Sequence, residues 1–141
     1  MTDAMQPILD IEALTEFLTR EFPQVAEEFQ VTDVAPGRLT VRLRPSHRHL
    51  RPGGTISGPT MFSLADCAVY LAIIAHVGEE ALAVTTNASI DFMRKPAADA
   101  DLFADATLLK LGRRLAVGDV ALRNSNAQHL VARATMTYSR P

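Results

Sequence analysis

The spacing of apolar and polar residues divides the first third of the chain into a helix and a hairpin. Apolar residues recur at helical spacing through residues 11–22, and Asp10 and Pro23 are placed to begin and end that helix. Residues 28–45 instead alternate between apolar and polar positions on both sides of Gly37. This alternation favours two strands joined by a turn.

A long neutral stretch, residues 55–75, follows the hairpin and predicts a central helix. Gly58 is expected to cap this helix, Pro59 to occupy its first position and Gly78 to end it. The stretch is long enough to cross a membrane, yet it contains Pro59 and the charged Asp66. We therefore predict a helix in the core of a soluble protein.

Four strand-like segments complete the chain: residues 81–93, 101–112, 113–124 and 129–139. Turns between them are expected at Lys95-Pro96, at Gly112 and at residues 124–127. Strands joined by short turns pair antiparallel, and an apolar helix needs a sheet to cover it. The sequence therefore predicts one α+β domain over residues 1–141, in which a curved antiparallel sheet wraps around a long central helix, with an additional N-terminal helix.

The balance of charges limits the kinds of partner that the protein is expected to bind. With 14 Lys and Arg against 16 Asp and Glu, the 141-residue chain has no basic excess to hold a nucleic acid or an anionic membrane. Its one cysteine, Cys67, excludes an internal disulfide, and its first residues show no secretory signal pattern. We expect a cytoplasmic protein that binds neither nucleic acid nor membrane.

Asp66 is the one acidic residue in residues 54–78, and it raises the main question about function. Burying an ionised carboxylate is costly unless partners or a chemical task compensate. The structural explanation is a hydrogen bond to a neighbouring hydroxyl or to a backbone group. The functional explanation is that the carboxylate takes part in a reaction.

Three segments of the chain resemble one enzyme family. GTISGPTMFSLADCAVYLA, AVTTNASIDFMRKPA and LLKLGRRLAVGDVAL are similar to the phenylacetate-pathway (PaaI-type) hotdog acyl-CoA thioesterases. The likeness runs from about Arg51 to Tyr138. The family pattern opens the central helix with His-Gly-Gly and has an acid about two turns later. The resemblance implies a hotdog fold and an acyl-CoA substrate, with neither a metal nor another cofactor.

By position in that pattern, Asp66 takes the place of the carboxylate that activates a water molecule or attacks the thioester carbonyl. Gly58 takes the place of the glycine whose backbone N–H polarises that carbonyl, which suits the positive end of a helix. Thr85 falls where related enzymes carry a hydroxyl that holds the water, although it is equally explained as a plain strand residue. Arg51 falls where many of them carry Asn.

The start of the central helix departs from the family pattern. His-Gly-Gly reads Ser57-Gly58-Pro59 here, so the histidine is absent and the second glycine is a proline without an N–H. The donor to the carbonyl oxygen can then only be Gly58 or a residue outside this pair. These changes bear on rate and on substrate choice more than on the fold.

A further set of residues is expected to contact the substrate: Arg51, Ser57, Pro59, Phe62, Arg94, Lys95, Arg113 and Arg114. The basic side chains at strand ends could hold the phosphates of coenzyme A, or they could form a solvated rim. Phe62, together with Tyr70 and Phe92, is expected to line the acyl pocket.

Two other chemical roles are less well supported by the sequence. Cys67 follows the acid directly, but a catalytic cysteine needs a base and an electropositive setting, so core packing explains it better. His47 and His49 form a His-x-His pair with no further ligand at a typical spacing, so a polar loop explains them better than a metal site.

The leading hypothesis is an acyl-CoA thioesterase that acts on a small or medium acyl or aryl thioester. A hotdog protein that binds acyl-CoA without turnover and a hotdog hydratase or dehydratase are the alternatives. Gly58 and Asp66 are eight residues apart, which a continuous helix converts to roughly 12 Å along its axis. Because one thioester cannot reach both, we predict a homodimer with shared active sites, and a homotetramer built as a dimer of dimers stays open.

Overall fold

The helices and strands follow one another in the order that the sequence predicts. The computed structural model describes residues 5–125 and 129–141. Its elements are α1 (Ile11–Glu21), α2 (Pro23–Ala26), β1 (Phe29–Ala35), β2 (Arg38–Leu43), α3 (Gly58–Val77), β3 (Val84–Phe92), β4 (Leu102–Leu111), β5 (Leu115–Asn124) and β6 (Ala132–Ser139). The short helix α2 and a 3₁₀ turn at His47–His49 were not predicted. Of the turn expected at residues 124–127, positions 126 and 127 lie outside the described residues.

The six strands form one antiparallel sheet in the order β1-β2-β4-β5-β6-β3. Burial alternates along β4, β5 and β6, so one face of the sheet packs inward while the other is more open. This alternation matches the period of two in the sequence. The hotdog architecture of a sheet around one long helix is confirmed.

Helix α3 fills the space that the sheet encloses. Twelve of its 20 residues are buried, and Leu64, Leu71 and Ile73 are completely inaccessible to solvent. Its length and hydropathy would suit a membrane span, but 67% of the apolar window is buried inside the protein. Each fully buried Leu or Ile side chain contributes about 1.5–3 kcal/mol to folding. The helix is therefore the centre of the core, as predicted.

Ser57, and not Gly58, caps α3. Its backbone is extended, with φ −72° and ψ 153°, and its side-chain oxygen accepts the N–H of Thr60. Gly58 is therefore the first helical residue and Pro59 the second, one position later than predicted. A hydroxyl can satisfy an N–H of the first turn and glycine has no side chain to do so, which explains the shift. Gly78 ends the helix as predicted, with φ 100°.

Helix α1 packs its apolar side against the core. Asp10 caps it by accepting the N–H of Ala13 at 2.9 Å, and Leu14, Phe17 and Leu18 are buried. The capping bond satisfies one of the N–H groups that the first turn leaves unpaired. The helix is held next to the middle of α3, where it forms part of the surroundings of Asp66.

Strand β3 lies at the edge of the sheet. It pairs with β6 on one side, and no described strand pairs with its other side. Several of its apolar side chains are exposed, with Val84 at 56% and Phe92 at 52% of full accessibility. An unpaired strand with exposed apolar residues offers both hydrogen-bonding groups and apolar surface to another chain.

Candidate active site

Asp66 is half-buried near the middle of α3, and two hydroxyl groups donate to it. Thr85 Oγ1 lies 2.7 Å from Asp66 Oδ1, and the Tyr138 hydroxyl also lies 2.7 Å from the same oxygen. Hydrogen bonds to a carboxylate favour its charged form and offset the cost of burying it. The carboxylate in this apolar helix is therefore solvated by the protein itself.

The two donors are neighbours in the sheet. Thr85 near the start of β3 pairs with Tyr138 near the end of β6, beside a shift in register between Thr85 and Asn87. Burial and the charge of Asp66 raise the pKa of Tyr138 well above its ordinary value, so its hydroxyl keeps the proton that it donates. Thr85 was predicted as a site residue that holds the water and not as a donor to Asp66, and Tyr138 was missed.

A cavity of about 360 Å³ opens beside Asp66, and we call it the Asp66 cavity. Its walls come from the N-terminal helices, α3, the first strands and the end of β6: Leu18, Phe22, Val25, Glu28, Phe29, Ser63, Asp66, Cys67, Tyr70, Ala83, Val84, Thr85 and Tyr138. Most of these side chains are apolar or aromatic, and two of them, Glu28 and Asp66, carry carboxylates. Such a cavity can take an apolar group and present it to a carboxylate.

Cys67 lines the Asp66 cavity but is not suited to act as a nucleophile. Burial and the neighbouring charge of Asp66 raise the pKa of its thiol to about 12. A thiol with that pKa is almost entirely protonated at neutral pH, and the reactive form of cysteine is the thiolate. The prediction that Cys67 serves packing is consistent with this environment.

A second cavity of about 340 Å³ lies at the start of α3, and we call it the Gly58 cavity. Its walls include Gly58, Arg51, Phe92, Arg94 and Lys95. The N–H of Gly58 has no acceptor among the described residues, as expected at the first position of a helix. This cavity combines an unpaired donor at the positive end of a helix with three basic side chains.

The two cavities remain separate within one chain. Among the described residues, none lines both the Asp66 cavity and the Gly58 cavity. Gly58 and Asp66 belong to one continuous helix, so their eight-residue spacing corresponds to ~12 Å along the axis. The structure therefore does not bring the predicted acid and the predicted oxyanion donor together in a single subunit.

Four of the predicted basic residues lie near the two ends of β3. Arg113 and Arg114 precede β5, whose first residue Leu115 pairs with Ser139 beside Val84, so they lie at the end of the sheet where β3 begins. Arg94 and Lys95 follow the other end of β3.

Three of the predicted substrate contacts, Ser57, Pro59 and Phe62, line neither cavity. The Ser57 hydroxyl is engaged with Thr60, and Phe62 is 37% exposed. Of the predicted pocket aromatics, Tyr70 lines the Asp66 cavity and Phe92 lines the Gly58 cavity.

A larger cavity, of about 520 Å³, lies near the 3₁₀ turn. In its wall, Glu28 forms an ion pair with Arg48 and lies 3.8 Å from Nε2 of His49. His49 also accepts the N–H of Ser46 on Nδ1 at 2.9 Å. These contacts give His49 a role in closing its own turn, and the cavity does not include Asp66.

A family model described as the thioesterase superfamily matches residues 53–139, which contain α3 and the last four strands. The chain belongs to the thioesterase superfamily. The matched region of this thioesterase includes Asp66, Thr85, Tyr138 and Gly58, and thus part of the wall of each cavity. Arg51 and the N-terminal helices lie outside it, so part of the wall of the Asp66 cavity comes from a segment that the family model does not match.

Known proteins resemble this thioesterase over most of its length. Human acyl-coenzyme A thioesterase 13 is 26% identical over 137 residues, which cover 97% of this chain and 94% of the human protein. A Silicibacter protein, solved as a candidate thioesterase, is 54% identical with a TM-score of 0.91, covering 98% of this chain and 96% of its own.

Two further solved structures bear on the family resemblance. A variant of the phenylacetic acid degradation protein PaaI from Thermus thermophilus is 30% identical, with a TM-score of 0.72 over 84% of this chain and 97% of its own. A Streptococcus mutans protein bound to acetyl CoA is 25% identical, with a TM-score of 0.73 over 81% and 89% of the two chains. The PaaI-type resemblance and the thioester hydrolase class are confirmed.

Proposed function

We propose that this thioesterase hydrolyses acyl-CoA thioesters and that Asp66 is its catalytic carboxylate. The observation that carries the proposal is the carboxyl group of Asp66, held by two hydroxyl donors in the wall of a largely apolar cavity. The human relative is named an acyl-coenzyme A thioesterase, and the S. mutans protein was solved with acetyl CoA. Both support an acyl-CoA substrate here.

Asp66 can act in two ways that the geometry permits. As a base, it takes a proton from a water molecule that attacks the thioester carbonyl, and the coenzyme A thiolate leaves. As a nucleophile, it attacks the carbonyl itself, expels the thiolate and forms an anhydride that water then hydrolyses. In both cases negative charge develops on the carbonyl oxygen, and the unpaired N–H of Gly58 is suited to stabilise it.

The complete site requires a second subunit, and the open edge of β3 supports one arrangement. Thr85 at one end of β3 contacts Asp66, and Phe92 at the other end packs beside Gly58, where an added Cβ would lie 3.3 Å from its ring. If two β3 strands pair antiparallel near their middle, the end that carries Thr85 lies beside the end of the partner strand that carries Phe92. The Asp66 cavity of one subunit would then adjoin the Gly58 cavity of the other, at two equivalent sites.

The same arrangement would gather the basic side chains. Arg94 and Lys95 lie at the end of β3 that carries Gly58, and Arg113 and Arg114 lie at the end that carries Asp66. Antiparallel pairing brings opposite ends together, so both pairs would border one active site. We propose that they hold the phosphates of coenzyme A, which arginine binds through paired hydrogen bonds.

The Asp66 cavity is proposed to receive the acyl group. In its wall, Phe22 and Tyr70 pack edge to face with ring centroids 5.7 Å apart, and the ring of Tyr70 lies 6.0 Å from that of Tyr138. A partly aromatic wall and a volume of about 360 Å³ favour a small or medium acyl or aryl group over a long fatty chain.

An acyl-CoA-binding protein without turnover is the second candidate. It is favoured by the engagement of Ser57, which replaces the histidine of the family pattern and bonds to Thr60 instead of facing either cavity. Thiol release from a panel of acyl-CoA substrates separates the two functions. Ligand-induced thermal stabilisation without thiol release would favour binding alone.

Asp66→Asn tests the catalytic assignment. The amide keeps the shape of the side chain but loses its charge, so kcat should fall by about 10² to 10⁴-fold with the fold preserved. Asp119→Asn is the matched control, because Asp119 also accepts a threonine hydroxyl but lies outside both cavities. A folded Asp66→Asn enzyme with wild-type kcat/KM would exclude the assignment.

Mixed dimers test the shared site. Asp66→Asn chains are co-expressed with Gly58→Val chains, in which the added Cβ lies 3.3 Å from the ring of Phe92 and the valine side chain crowds the Gly58 cavity. Each parent homodimer should be inactive, whereas each heterodimer should contain one intact site, so activity should return. No recovery in heterodimers that are shown to form, or full activity in a monomer, would contradict shared sites.

A further inference from the structure

One oxygen of Asp66 receives all the side-chain hydrogen bonds that the described residues donate to the carboxylate. The Thr85 and Tyr138 hydroxyls both lie 2.7 Å from Oδ1, and Tyr138 also lies 3.1 Å from the backbone oxygen of Asp66. Among the described residues, none donates to Oδ2. The two oxygens of the carboxylate are therefore in different environments.

Tyr138 is held firmly in this position. Its side chain is only 3% exposed, and its ring packs against Tyr70, whose own hydroxyl donates to the backbone oxygen of Ala81 at 3.1 Å. The pairing of Tyr138 with Thr85 across β6 and β3 fixes the separation of the two hydroxyls. The donors therefore approach Asp66 from the rigid sheet, while Asp66 itself projects from the helix.

We propose that Tyr138 is a positioning residue for the reaction: together with Thr85 it holds Oδ1 of Asp66 on the sheet side, which leaves Oδ2 as the oxygen that meets the water or the thioester. The inference rests on the proposed function, since it assigns a role to Tyr138 only if Asp66 is catalytic. Tyr138 does not exchange a proton with the substrate, because burial and a charged neighbour raise its pKa and keep its hydroxyl protonated.

A positioning role predicts an effect on the chemical step rather than on binding. Without the Tyr138 hydroxyl, Asp66 is held by one donor and can rotate away from the productive orientation. Misplacement of a catalytic group by about 1 Å can cost on the order of 10²-fold in rate. Tyr138→Phe should therefore lower kcat by about 10 to 100-fold, with KM changed less than about twofold, because the phenyl ring still fills the cavity wall.

Thr135→Val is the matched control. Thr135 is on β6 as well and donates to a carboxylate, Asp119, at 2.8 Å, but it is outside both cavities. Its loss should leave kcat unchanged. Thr85→Val should resemble Tyr138→Phe, whereas Thr85→Ser should retain activity because it keeps the hydroxyl.

Proton NMR of proteins that keep Tyr138 tests the inference even if Tyr138→Phe does not fold. The Tyr138 hydroxyl proton should give a downfield, slowly exchanging proton NMR signal that Asp66→Asn moves upfield and Thr135→Val leaves in place. A hydroxyl signal whose chemical shift is unchanged by Asp66→Asn would overturn the inference. A folded Tyr138→Phe enzyme with wild-type kcat would overturn it as well. If Asp66→Asn is itself fully active, the proposed function fails. If Asp66→Asn is inactive and Tyr138→Phe is not impaired, only the positioning role fails.

Discussion

Gly118 on β5 lets the sheet approach α3 closely, and replacing it tests how tightly the two layers are packed. A Cβ at Gly118 would lie 2.9 Å from Cγ1 and 3.0 Å from Cγ2 of Val69, which is completely buried on α3. Carbon atoms pack best at about 3.5–4.0 Å. Gly118→Ala therefore requires the helix or the Val69 side chain to move by several tenths of an ångström or more.

The expected cost is the difference between two opposing effects. Overpacking a core typically costs about 1–3 kcal/mol. Replacing glycine by alanine inside a strand recovers about 0.5–1 kcal/mol of backbone entropy. Gly118→Ala should therefore lower the free energy of unfolding by about 1 kcal/mol or somewhat more.

Urea unfolding of a double-mutant cycle measures this packing directly. Val69→Ala removes the two methyl groups that meet the new Cβ, so the double mutant should be more stable than the sum of the single effects allows, with a coupling of about 1 kcal/mol or more. Activity should also fall, because Val69 is three residues from Asp66 and a shift of α3 away from the sheet lengthens the hydrogen bond from Tyr138 to Asp66. A stable Gly118→Ala protein with additive effects would refute the close approach.

The other predictions concern an ion pair and the coenzyme site. Arg140 holds the pKa of Glu80 below its ordinary value of 4.5 through contacts of 2.9 and 2.8 Å, so this stability is present near pH 7 and lost as the pH falls below about 4.5. Glu80→Gln should accordingly be less stable than wild type at pH 7 in urea unfolding, with a difference that shrinks in acid, and a pH-independent difference would contradict the ion pair. Arg94→Ala should raise KM more for a coenzyme A thioester than for the matching pantetheine thioester, which lacks the nucleotide phosphates, whereas equal changes would assign Arg94 to structure.

Most of the fold could be predicted because each element buries one face. The period of two in β4 and β5 and the continuous apolar run of α3 express burial directly in the sequence. The cap of α3 was wrong by one residue because Gly and Ser both suit that position. Only the observed bond from Thr60 to Ser57 decides between them. The four-residue helix α2 is too short to leave a periodic signal.

The site residues that lie close together in the sequence could be predicted, and the distant one could not. Asp66 and Gly58 belong to one motif, but Tyr138 lies 72 residues from Asp66 in a strand where alternation predicts only a buried side chain. Its role depends on the register that sets it opposite Thr85. Register follows from the whole sheet and not from any short segment, so residue types alone could not identify Tyr138.

In strand β3 the sequence pattern disagrees with the observed burial, and this disagreement bears on the assembly of subunits. The sequence of β3 alternates as the other strands do, with Ala88, Ile90 and Phe92 on the apolar positions, but in the single chain Ala88 and Phe92 are exposed and Ile90 is half-buried. In β5 the same alternation coincides with buried and half-buried positions. An alternating pattern normally records a face that is covered in the functional state, and exposed apolar residues along an open strand edge are unfavourable in isolation. A strand that is covered by a second copy of itself would show this mismatch. The same pairing would also join the Asp66 cavity of one subunit to the Gly58 cavity of the other, two cavities that α3 keeps apart within one chain.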